Sequence, residues 1–112
     1  MKPVRLRAKA REDLGREVRY YRREAGTAVA ERCAERFGDA LVRIGEHPAI
    51  GSMRIGEMLG LSALRSWRIE GFPLLLFYVE RSDFIDVIRV LGERQDIATL
   101  LMGDVSSEGD GA

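Results

Sequence analysis

Two apolar segments, Phe72–Val79 and Phe84–Leu91, flank the polar turn Glu80–Asp83. A short polar turn with Ser and Asp between two segments rich in Phe, Tyr, Val, Ile and Leu is typical of a β-hairpin. Both alternating sets of positions in Phe72–Val79 are apolar, so neither face of that strand is suited to water. We therefore expect this strand to lie in the middle of a sheet that is covered on both faces.

The second strand of this hairpin has a mixed pattern. Alternation places Ile88 and Val90 on the same face as Asp86. It places Val87 on the opposite face, together with Arg89. A chain of 112 residues supplies long helices for only one face of such a sheet, so another segment or a partner has to cover the second face.

The N-terminal half predicts a short strand and two amphipathic helices. Apolar and basic residues alternate through Val4–Ala8, as they do in a strand with one apolar face. Apolar residues at helical spacing then predict one helix over Ala10–Ala25 and a second over Ala28–Glu46. Gly26 supplies the positive φ that ends the first helix, and Thr27 is the expected N-cap of the second. The two helices should form a tight hairpin.

Charged residues at both ends of the first predicted helix complement its dipole. Glu12 and Asp13 fall in the predicted first turn, and Arg22 and Arg23 fall in the last turn. Acidic side chains near the N-terminus of a helix and basic side chains near its C-terminus stabilise it. The charge pattern therefore supports a helix with these ends.

The C-terminal half predicts a loop, three strands and a short helix. Gly51–Gly60 is expected to be a loop, although it carries an unusual number of large apolar residues. A strand over Leu64–Ile69 precedes the hairpin, and a helix over Glu93–Met102 follows it. The polar segment Asp104–Ala112 predicts a disordered tail, which leaves one domain over residues 1–103.

Composition and charge narrow the class of protein. The chain has 112 residues, 46% of them apolar, and its 18 basic residues balance 18 acidic ones. No global field draws such a protein to nucleic acid or to an anionic membrane, so any polyanion binding has to be local. One cysteine, the absence of a signal-peptide pattern and the absence of a long apolar segment indicate a soluble cytoplasmic protein without a membrane contact.

The residues that most often carry catalysis or bind metals are sparse. Cys33 lies on the apolar stripe of the second predicted helix, which indicates a buried packing thiol. His47 stands at a helix end, where a contact with the helix dipole explains it. One cysteine and one histidine do not make a zinc site, and no glycine-rich phosphate loop follows a strand. We therefore expect no cofactor and no bound metal.

Four basic residues on or just after the predicted strands remain as candidate chemistry: Arg65, Arg68, Arg89 and Arg94. Arginines that converge on one sheet face could hold an RNA phosphate and stabilise the charge that develops during backbone cleavage. The odd spacing of Arg65 and Arg68 instead points them to opposite faces. The alternative is that these arginines are solvated or paired with Asp86 and Asp96, and no suitable general acid or base stands near them.

Short motifs from about Val4 to Leu101 agree in order and spacing with one known group of proteins. They are Ala8-x-Ala10-x-x-Asp13-Leu14, Tyr20-Tyr21, Pro48-x-x-Gly51, Leu64-Arg65, Gly71-Phe72-Pro73, Phe77-Tyr78, Ile88-Arg89-Val90-Leu91 and Arg94-Gln95-Asp96-Ile97. With these motifs the chain resembles the RelE/ParE superfamily of toxins from type II toxin–antitoxin systems, and within it the ParE branch. The resemblance implies an α+β fold: a small twisted, mostly antiparallel sheet of about four strands, with the helical hairpin on one face and a short C-terminal helix.

The resemblance also implies a toxin that a small ParD-like antitoxin neutralises in a hetero-oligomer, with a role in plasmid stabilisation. ParE relatives act on DNA gyrase as protein inhibitors, so no direct and specific nucleic-acid binding is expected. RelE relatives instead cut messenger RNA on the ribosome with a basic cluster and often a tyrosine near the C-terminus, and this is the alternative function. The chain has no tyrosine after Tyr78, and Gly92 stands where a histidine is common. Both departures count against the nuclease.

The apolar loop and the sheet face away from the helices form the first candidate surface for the antitoxin. This candidate set contains Met53, Met58, Leu59, Leu61 and Trp67. Large apolar side chains on such a surface supply much of the affinity of a protein complex. The competing hypothesis is that they fold back into the chain's own core. The helical hairpin around Tyr20, Tyr21 and Arg32 is the second candidate surface.

Overall fold

Four strands form one open sheet in the computed structural model, which describes residues 1–103. The strands are β1 (Val4–Leu6), β2 (Leu64–Arg68), β3 (Leu74–Glu80) and β4 (Ile85–Gly92). They lie in the order β1-β4-β3-β2, with β1 parallel to β4 and the other neighbours antiparallel. The predicted, mostly antiparallel sheet with β3 in its interior is confirmed. The predicted disordered tail lies outside the described residues.

Four helices accompany the sheet within residues 1–103. They are α1 (Ala8–Ala25), α2 (Thr27–Glu46), α3 (Arg54–Met58) and α4 (residues 97–103). A 3₁₀ turn, Pro48–Ile50, leads from α2 toward α3. The order of elements confirms the predicted β-α-α-β-β-β-α arrangement of an α+β fold, and α3 is an addition to it.

α1 begins at Ala8, earlier than its apolar pattern predicted. Arg7 caps the helix, and its carbonyl oxygen accepts the Arg11 N–H at 3.1 Å. Glu12 and Asp13 therefore lie beyond the first turn, and the dipole role predicted for them is wrong. The basic residues predicted for the last turn do lie there. The early start frees Asp13 for a buried contact with the sheet.

One glycine joins α1 to α2. Gly26 has a φ of 96°, so the predicted positive φ is confirmed. Its N–H donates to the Arg22 carbonyl oxygen at 3.2 Å, and its own carbonyl oxygen accepts the Ala30 N–H at 3.2 Å. Gly26 is therefore the N-cap of α2 and Thr27 is already helical, so the N-cap predicted at Thr27 is wrong.

α1 and α2 pack on one face of the sheet, here called the hairpin face. Its buried side chains come from both helices and from the central strands: Ala10, Cys33, Phe37, Ala40, Ile44, Leu76, Tyr78, Val87 and Val90. Cys33 is fully buried, in agreement with its predicted packing role, and burial raises the pKa of its thiol. The small residues Cys33 and Ala40 let α2 approach the strands closely.

The opposite face of the sheet, here called the second face, has an apolar cluster of its own. Its buried members are Leu64, Phe77, Val79, Ile88, Leu91 and Leu101. Ile55 of α3 packs against this cluster, and so do Ile97 and Leu100 of α4. The chain itself therefore covers much of the face for which the sequence required another segment or a partner.

The segment Gly51–Gly60 is not the loop that its glycines predicted. Ser52 pairs with Ser66 of β2 through two backbone hydrogen bonds of 2.9 Å, and α3 follows directly. Gly56 lies inside α3, where a Cβ would stand 2.5 Å from the Leu61 carbonyl oxygen. This glycine therefore permits a close approach of α3 to the chain that enters β2.

An irregularity in β4 shifts the alternation of its side chains. The pairing with β3 passes from Val87 directly to Arg89, so Ile88 is an extra residue. Val90 consequently joins Val87 on the hairpin face, whereas Ile88 packs on the second face. The strict alternation predicted for this strand is wrong, because a β-bulge inserts one residue and changes the phase of those that follow.

Candidate functional site

A buried ion pair fastens α1 to β4. Arg89 donates from Nε to Asp13 Oδ2 at 2.7 Å and from Nη2 to Asp13 Oδ1 at 2.9 Å. The same carboxylate accepts the Val90 N–H at 3.0 Å and a hydrogen bond from Arg16 Nη2 at 2.7 Å. Asp13 and Arg89 are only 1% and 8% exposed. Arg89 is therefore committed to holding helix and strand together.

Arg65 and Tyr78 tie the 3₁₀ turn to the sheet. Arg65 Nη1 donates to the carbonyl oxygens of Ala49 at 3.1 Å and Gly51 at 2.9 Å. The Tyr78 hydroxyl donates to the Pro48 carbonyl oxygen at 2.7 Å and accepts the Gly51 N–H at 2.9 Å. Burial raises the pKa of Tyr78, although the Gly51 hydrogen bond and the Arg65 charge act in the opposite direction. Both side chains satisfy backbone groups of the connection between α2 and α3.

The four arginines selected from the sequence do not converge on one site. Arg68 forms an ion pair with Glu93, Arg65 bonds to backbone carbonyls, and Arg89 is buried. Arg94 is exposed and, among residues 1–103, has no acidic partner. The structure thus gives these arginines separate environments.

The carboxylates expected to pair with those arginines have other partners. Asp86 forms ion pairs with Arg7 at 2.8 Å and with Arg81 at 2.9 Å. Asp96 accepts hydrogen bonds from the N–H and the hydroxyl of Thr99 at 3.2 and 2.9 Å. The pairing predicted with Asp86 and Asp96 is wrong, because the sheet order places Asp86 beside β1.

The first predicted antitoxin surface is divided between the two faces of the sheet. Met58 is 74% exposed, and Met53 is half-buried just before α3. Leu59 and Leu61 are half-buried and pack against the second-face cluster. Trp67 is half-buried against the hairpin-face cluster instead. Leu59, Leu61 and Trp67 therefore contact the chain's own core, while the Met58 side chain is largely left to solvent or a partner.

A groove of about 550 Å³ lies between α1 and the ends of β3 and β4, and it is here called the arginine groove. Four arginines and two tyrosines line much of it: Arg16, Arg19, Arg23, Arg94, Tyr20 and Tyr21. Pro73 and Leu74 come from the start of β3, and Gly92 comes from the end of β4. The groove therefore combines a basic wall with an aromatic and apolar surface.

The tyrosines of the second predicted antitoxin surface meet in this groove. Tyr20 is 45% exposed, and its ring stands edge-on to Tyr21 with 5.2 Å between centroids. Tyr21 contacts Phe72 in the same manner at 5.0 Å, and burial raises the pKa of Tyr21. Arg32 lines a neighbouring depression of about 400 Å³ that shares Tyr21 with the groove. The predicted set therefore extends over two adjoining depressions.

The basic wall of the groove was missed in the sequence. Arg16, Arg19 and Arg23 are spaced by three and four residues, so they occupy one side of α1. That spacing is a local signal that could have found them. Arg94 joins them from beyond β4, and only the folded chain brings it there. Glu17 also lines the groove, and burial is the main cause that raises its pKa.

His47 lies at the C-cap of α2, where it was predicted, and it is exposed. Among residues 1–103, no three His, Cys, Asp or Glu side chains are grouped so that they could hold a metal ion. In the same part of the chain, no helix has the length and apolar character needed to cross a membrane.

A helical hairpin on one face of an open four-stranded sheet, with short helices on the other face, is an α+β fold that solved structures share. One of them is the chromosomal ParDE TA system from P. aeruginosa, with a TM-score of 0.70 and 17% sequence identity. The match covers 82% of this chain and 96% of that chain. None of the curated proteins compared with the chain matches it significantly.

The sequence places the chain within one family. The family model described as the ParE toxin of the type II toxin–antitoxin system parDE matches residues 4–97. Because this match spans most of the chain, the protein belongs to the ParE toxin family. The resemblance stated from short motifs is confirmed.

Proposed function

We propose that this protein is the toxin of a type II pair, that it inhibits DNA gyrase in the cytoplasm, and that a cognate ParD-like antitoxin neutralises it in a hetero-oligomer. The observation that carries the proposal is the ParE family match over residues 4–97. A fold shared with a ParDE toxin–antitoxin structure supports it. In this proposal the protein acts by binding its target, without a cofactor or a metal.

The alternative function, cleavage of messenger RNA on the ribosome, requires basic groups that can reach a phosphate. Three of the four candidate arginines are engaged elsewhere: Arg65, Arg68 and Arg89. Arg94 is the member of the set without an acidic partner among the described residues. The contacts of these arginines therefore count against RNA cleavage, although Arg68 is held only by an exposed ion pair.

A supercoiling assay separates the two functions. Increasing amounts of the purified protein, added to gyrase, relaxed plasmid and ATP, should progressively reduce the supercoiled product. Primer extension on ribosome-bound messages from cells expressing the protein should show no new ends. Arg94→Ala should keep the inhibition of gyrase, because this exposed side chain does not support the core. Message cleavage that disappears in Arg94→Ala, with supercoiling unaffected by either protein, would establish the nuclease.

For the antitoxin we propose a first contact at the exposed Met58 and the surface around it. The proposed set is Met53, Met58, Leu59, Leu61 and Trp67, with Tyr20, Tyr21 and Arg32 as the second surface. The exposure of Met58 supports this order. Leu59 and Leu61 contribute to the chain's own second face, so the 74% exposed Met58 is the member of the set chosen for substitution.

Met58→Asp tests the first contact. Burying one large apolar side chain contributes about 1.5–3 kcal/mol. The candidate antitoxin to be tested is the product of the reading frame next to this gene, and affinity for it should fall by roughly tenfold or more. Val42→Asp is the matched control, because Val42 is a 50% exposed apolar residue on α2. Equal affinity of both variants for that protein, with unchanged melting temperatures, would remove Met58 from the interface.

A further inference from the structure

The arginine groove carries an excess of positive charge although the whole chain is neutral. Arg16, Arg19 and Arg23 cover about 10 Å along α1, given a rise of 1.5 Å per residue. Arg94 stands on the other wall, beyond the end of β4. Four guanidinium groups therefore border one elongated depression.

Two of these arginines have no acidic partner in the part of the chain that the structure describes. Among residues 1–103, no carboxylate pairs with Arg19 or Arg94. Arg23 pairs with Glu24 at 3.2 Å and lies over the Tyr20 ring, 5.7 Å from its centroid, yet 67% of its side chain is exposed, and such a surface ion pair contributes little. Arg16 holds Asp13 at 2.7 Å but is still 49% exposed. The groove can therefore bind additional negative charge.

The acidic residues that line the groove do not cancel this charge. Glu93 forms a surface ion pair with Arg68, with 58% of the Arg68 side chain and 36% of the Glu93 side chain exposed, and it is one of two carboxylates that line the groove beside four arginines. Glu17 has only 17% of its side chain exposed and is 4.0 Å from Arg16 Nε. Both still interrupt the basic wall, which would disfavour an unbroken chain of phosphates. A ligand with separated negative groups fits this wall better.

The remaining surface of the groove is aromatic and apolar. Tyr20 offers an exposed ring and Pro73 adds exposed apolar surface, whereas Leu74 is only 2% exposed and forms the floor of the groove. In an extended peptide, alternate side chains lie about 6.6 Å apart on the same side. Arginines three and four residues apart on a helix are separated by roughly 5–6 Å. Acidic residues at alternate positions of an extended peptide can therefore each meet an arginine of α1, while the intervening apolar residues point to the opposite wall, where Pro73 lies.

We propose that the arginine groove binds an extended peptide segment in which acidic and apolar residues alternate. Given the proposed function on which this inference rests, the segment belongs to the antitoxin, and it forms a contact separate from that at Met58. Arg19 and Arg94 supply the decisive charge, because carboxylates form strong, bidentate hydrogen bonds with arginine. Pro73 supplies an apolar contact on the opposite wall, and the exposed Tyr20 ring lies beside the arginines of α1.

Binding of a defined probe tests the groove itself. The probe is a short fluorescent peptide in which Glu alternates with Leu and Ala, and a Lys-for-Glu version and a single-stranded oligothymidylate are comparison probes. The Glu peptide should bind on the order of tenfold tighter than the Lys peptide, and the double variant Arg19→Glu, Arg94→Glu should abolish this preference. Arg19→Ala, Arg94→Ala should weaken binding to an intermediate degree, which guards against a fold defect in the charge-reversed protein.

The matched control is Arg11→Glu, Arg22→Glu. Both of these arginines are exposed on α1, and neither lines the groove, so the control makes the same change in net charge. The control should bind the Glu peptide as wild type does. An equal loss in both double variants would reduce the effect to net charge and overturn the proposal, and so would a clear preference for the oligothymidylate.

The product of the neighbouring reading frame then separates this inference from the proposed function. If it binds wild type but binds Arg19→Glu, Arg94→Glu equally well, the groove is not its site and the proposed function stands. If it fails to bind wild type, the antitoxin part of the proposed function fails, whatever the peptide does. We expect it to bind wild type and to lose at least tenfold in affinity for the groove variant.

Discussion

The two faces of the sheet are covered in different ways. The hairpin face lies under α1 and α2, which have 18 and 20 residues. The second face lies under the five-residue α3 and under α4, and Met58 and Met102 on these helices are 74% and 43% exposed. Long helices are stabilised by packing over many turns, whereas short ones open at lower cost. The packing on the hairpin face should therefore contribute most of the free energy of unfolding. The short helices on the second face should open locally before the rest of the protein unfolds.

Asp13→Ala should lower the stability of the protein more than any other change, because it loosens the contact between α1 and β4. The change removes the Asp13 carboxylate from the buried Arg89 guanidinium and removes the acceptor of the Val90 N–H. Removing one partner of a buried ion pair costs about 3–5 kcal/mol. The free energy of unfolding, measured by urea titration with circular dichroism, should fall by that amount.

The double variant Asp13→Leu, Arg89→Met is the control for that loss. It removes both charges, and apolar replacements of buried pairs are often neutral or stabilising. The part of the loss that comes from the buried Arg89 charge should therefore return, while the Val90 N–H still lacks its Asp13 acceptor. An Asp13→Ala protein as stable as wild type would show that this pair does not fasten α1 to β4.

Ile44→Ala and Leu101→Ala compare the two faces directly. Ile44 of α2 and Leu101 of α4 are both fully buried, and truncations of this kind cost about 2–5 kcal/mol. We expect Ile44→Ala near the upper end and Leu101→Ala near the lower end, because α4 can open locally without unfolding the sheet. Equal losses, together with equal hydrogen-exchange protection of α2 and α4, would show that the faces do not differ.

Tyr78→Phe tests the connection between α2, which packs on the hairpin face, and α3, which packs on the second face. The hydroxyl bonds to Pro48 and Gly51, which lie between α2 and α3. Its loss leaves buried backbone groups unsatisfied, at about 1–3 kcal/mol. The melting temperature should fall, and amide exchange should accelerate in α3 more than in α2. A fall without any change in α3 exchange would confine the effect to the hairpin face.

Glu17→Gln should have the smallest effect, and its sign depends on pH. Burial raises the pKa of Glu17 above its ordinary value of 4.5, so the unfolded chain loses this proton at lower pH than the folded one. Stability linked to Glu17 is therefore present below pH 4.5 and is lost as pH rises through the raised value. The variant should melt slightly above wild type at pH 7 and equally below pH 4.5. A variant that melts lower at pH 7 would show that the Arg16 contact outweighs burial.

The helices that pack on the hairpin face could be predicted from the sequence. Of the two short helices that pack on the second face, α4 was predicted and α3 was not. The stripe from Ala30 to Ile44 repeats at helical spacing over the whole of α2, so local pattern and packing agree. α3 has glycine at its centre and is too short to be stable alone, so it exists only because it packs on the sheet. Its residues were consequently interpreted as an apolar loop.

Contacts across the chain limited the prediction of the candidate site. Tyr20 and Tyr21 were selected and do line the arginine groove. Arg89 was selected as a possible catalytic cation, yet its partner Asp13 is 76 positions away and had a simpler local explanation. The bulge at Ile88 changes which side chains share a face, and no local signal announces it.

Because β1 pairs in parallel with β4, the first strand can join the sheet only after the last strand has been synthesised. During synthesis α1 and α2 leave the ribosome early and can form from local contacts. Val4–Leu6 has no neighbouring strand until Ile85–Gly92 has emerged. A nascent chain released by a premature stop or a stalled ribosome therefore lacks both the sheet partner of β1 and the charge that Asp13 requires. The sheet, and with it the folded domain, is therefore complete only after β4 has been translated.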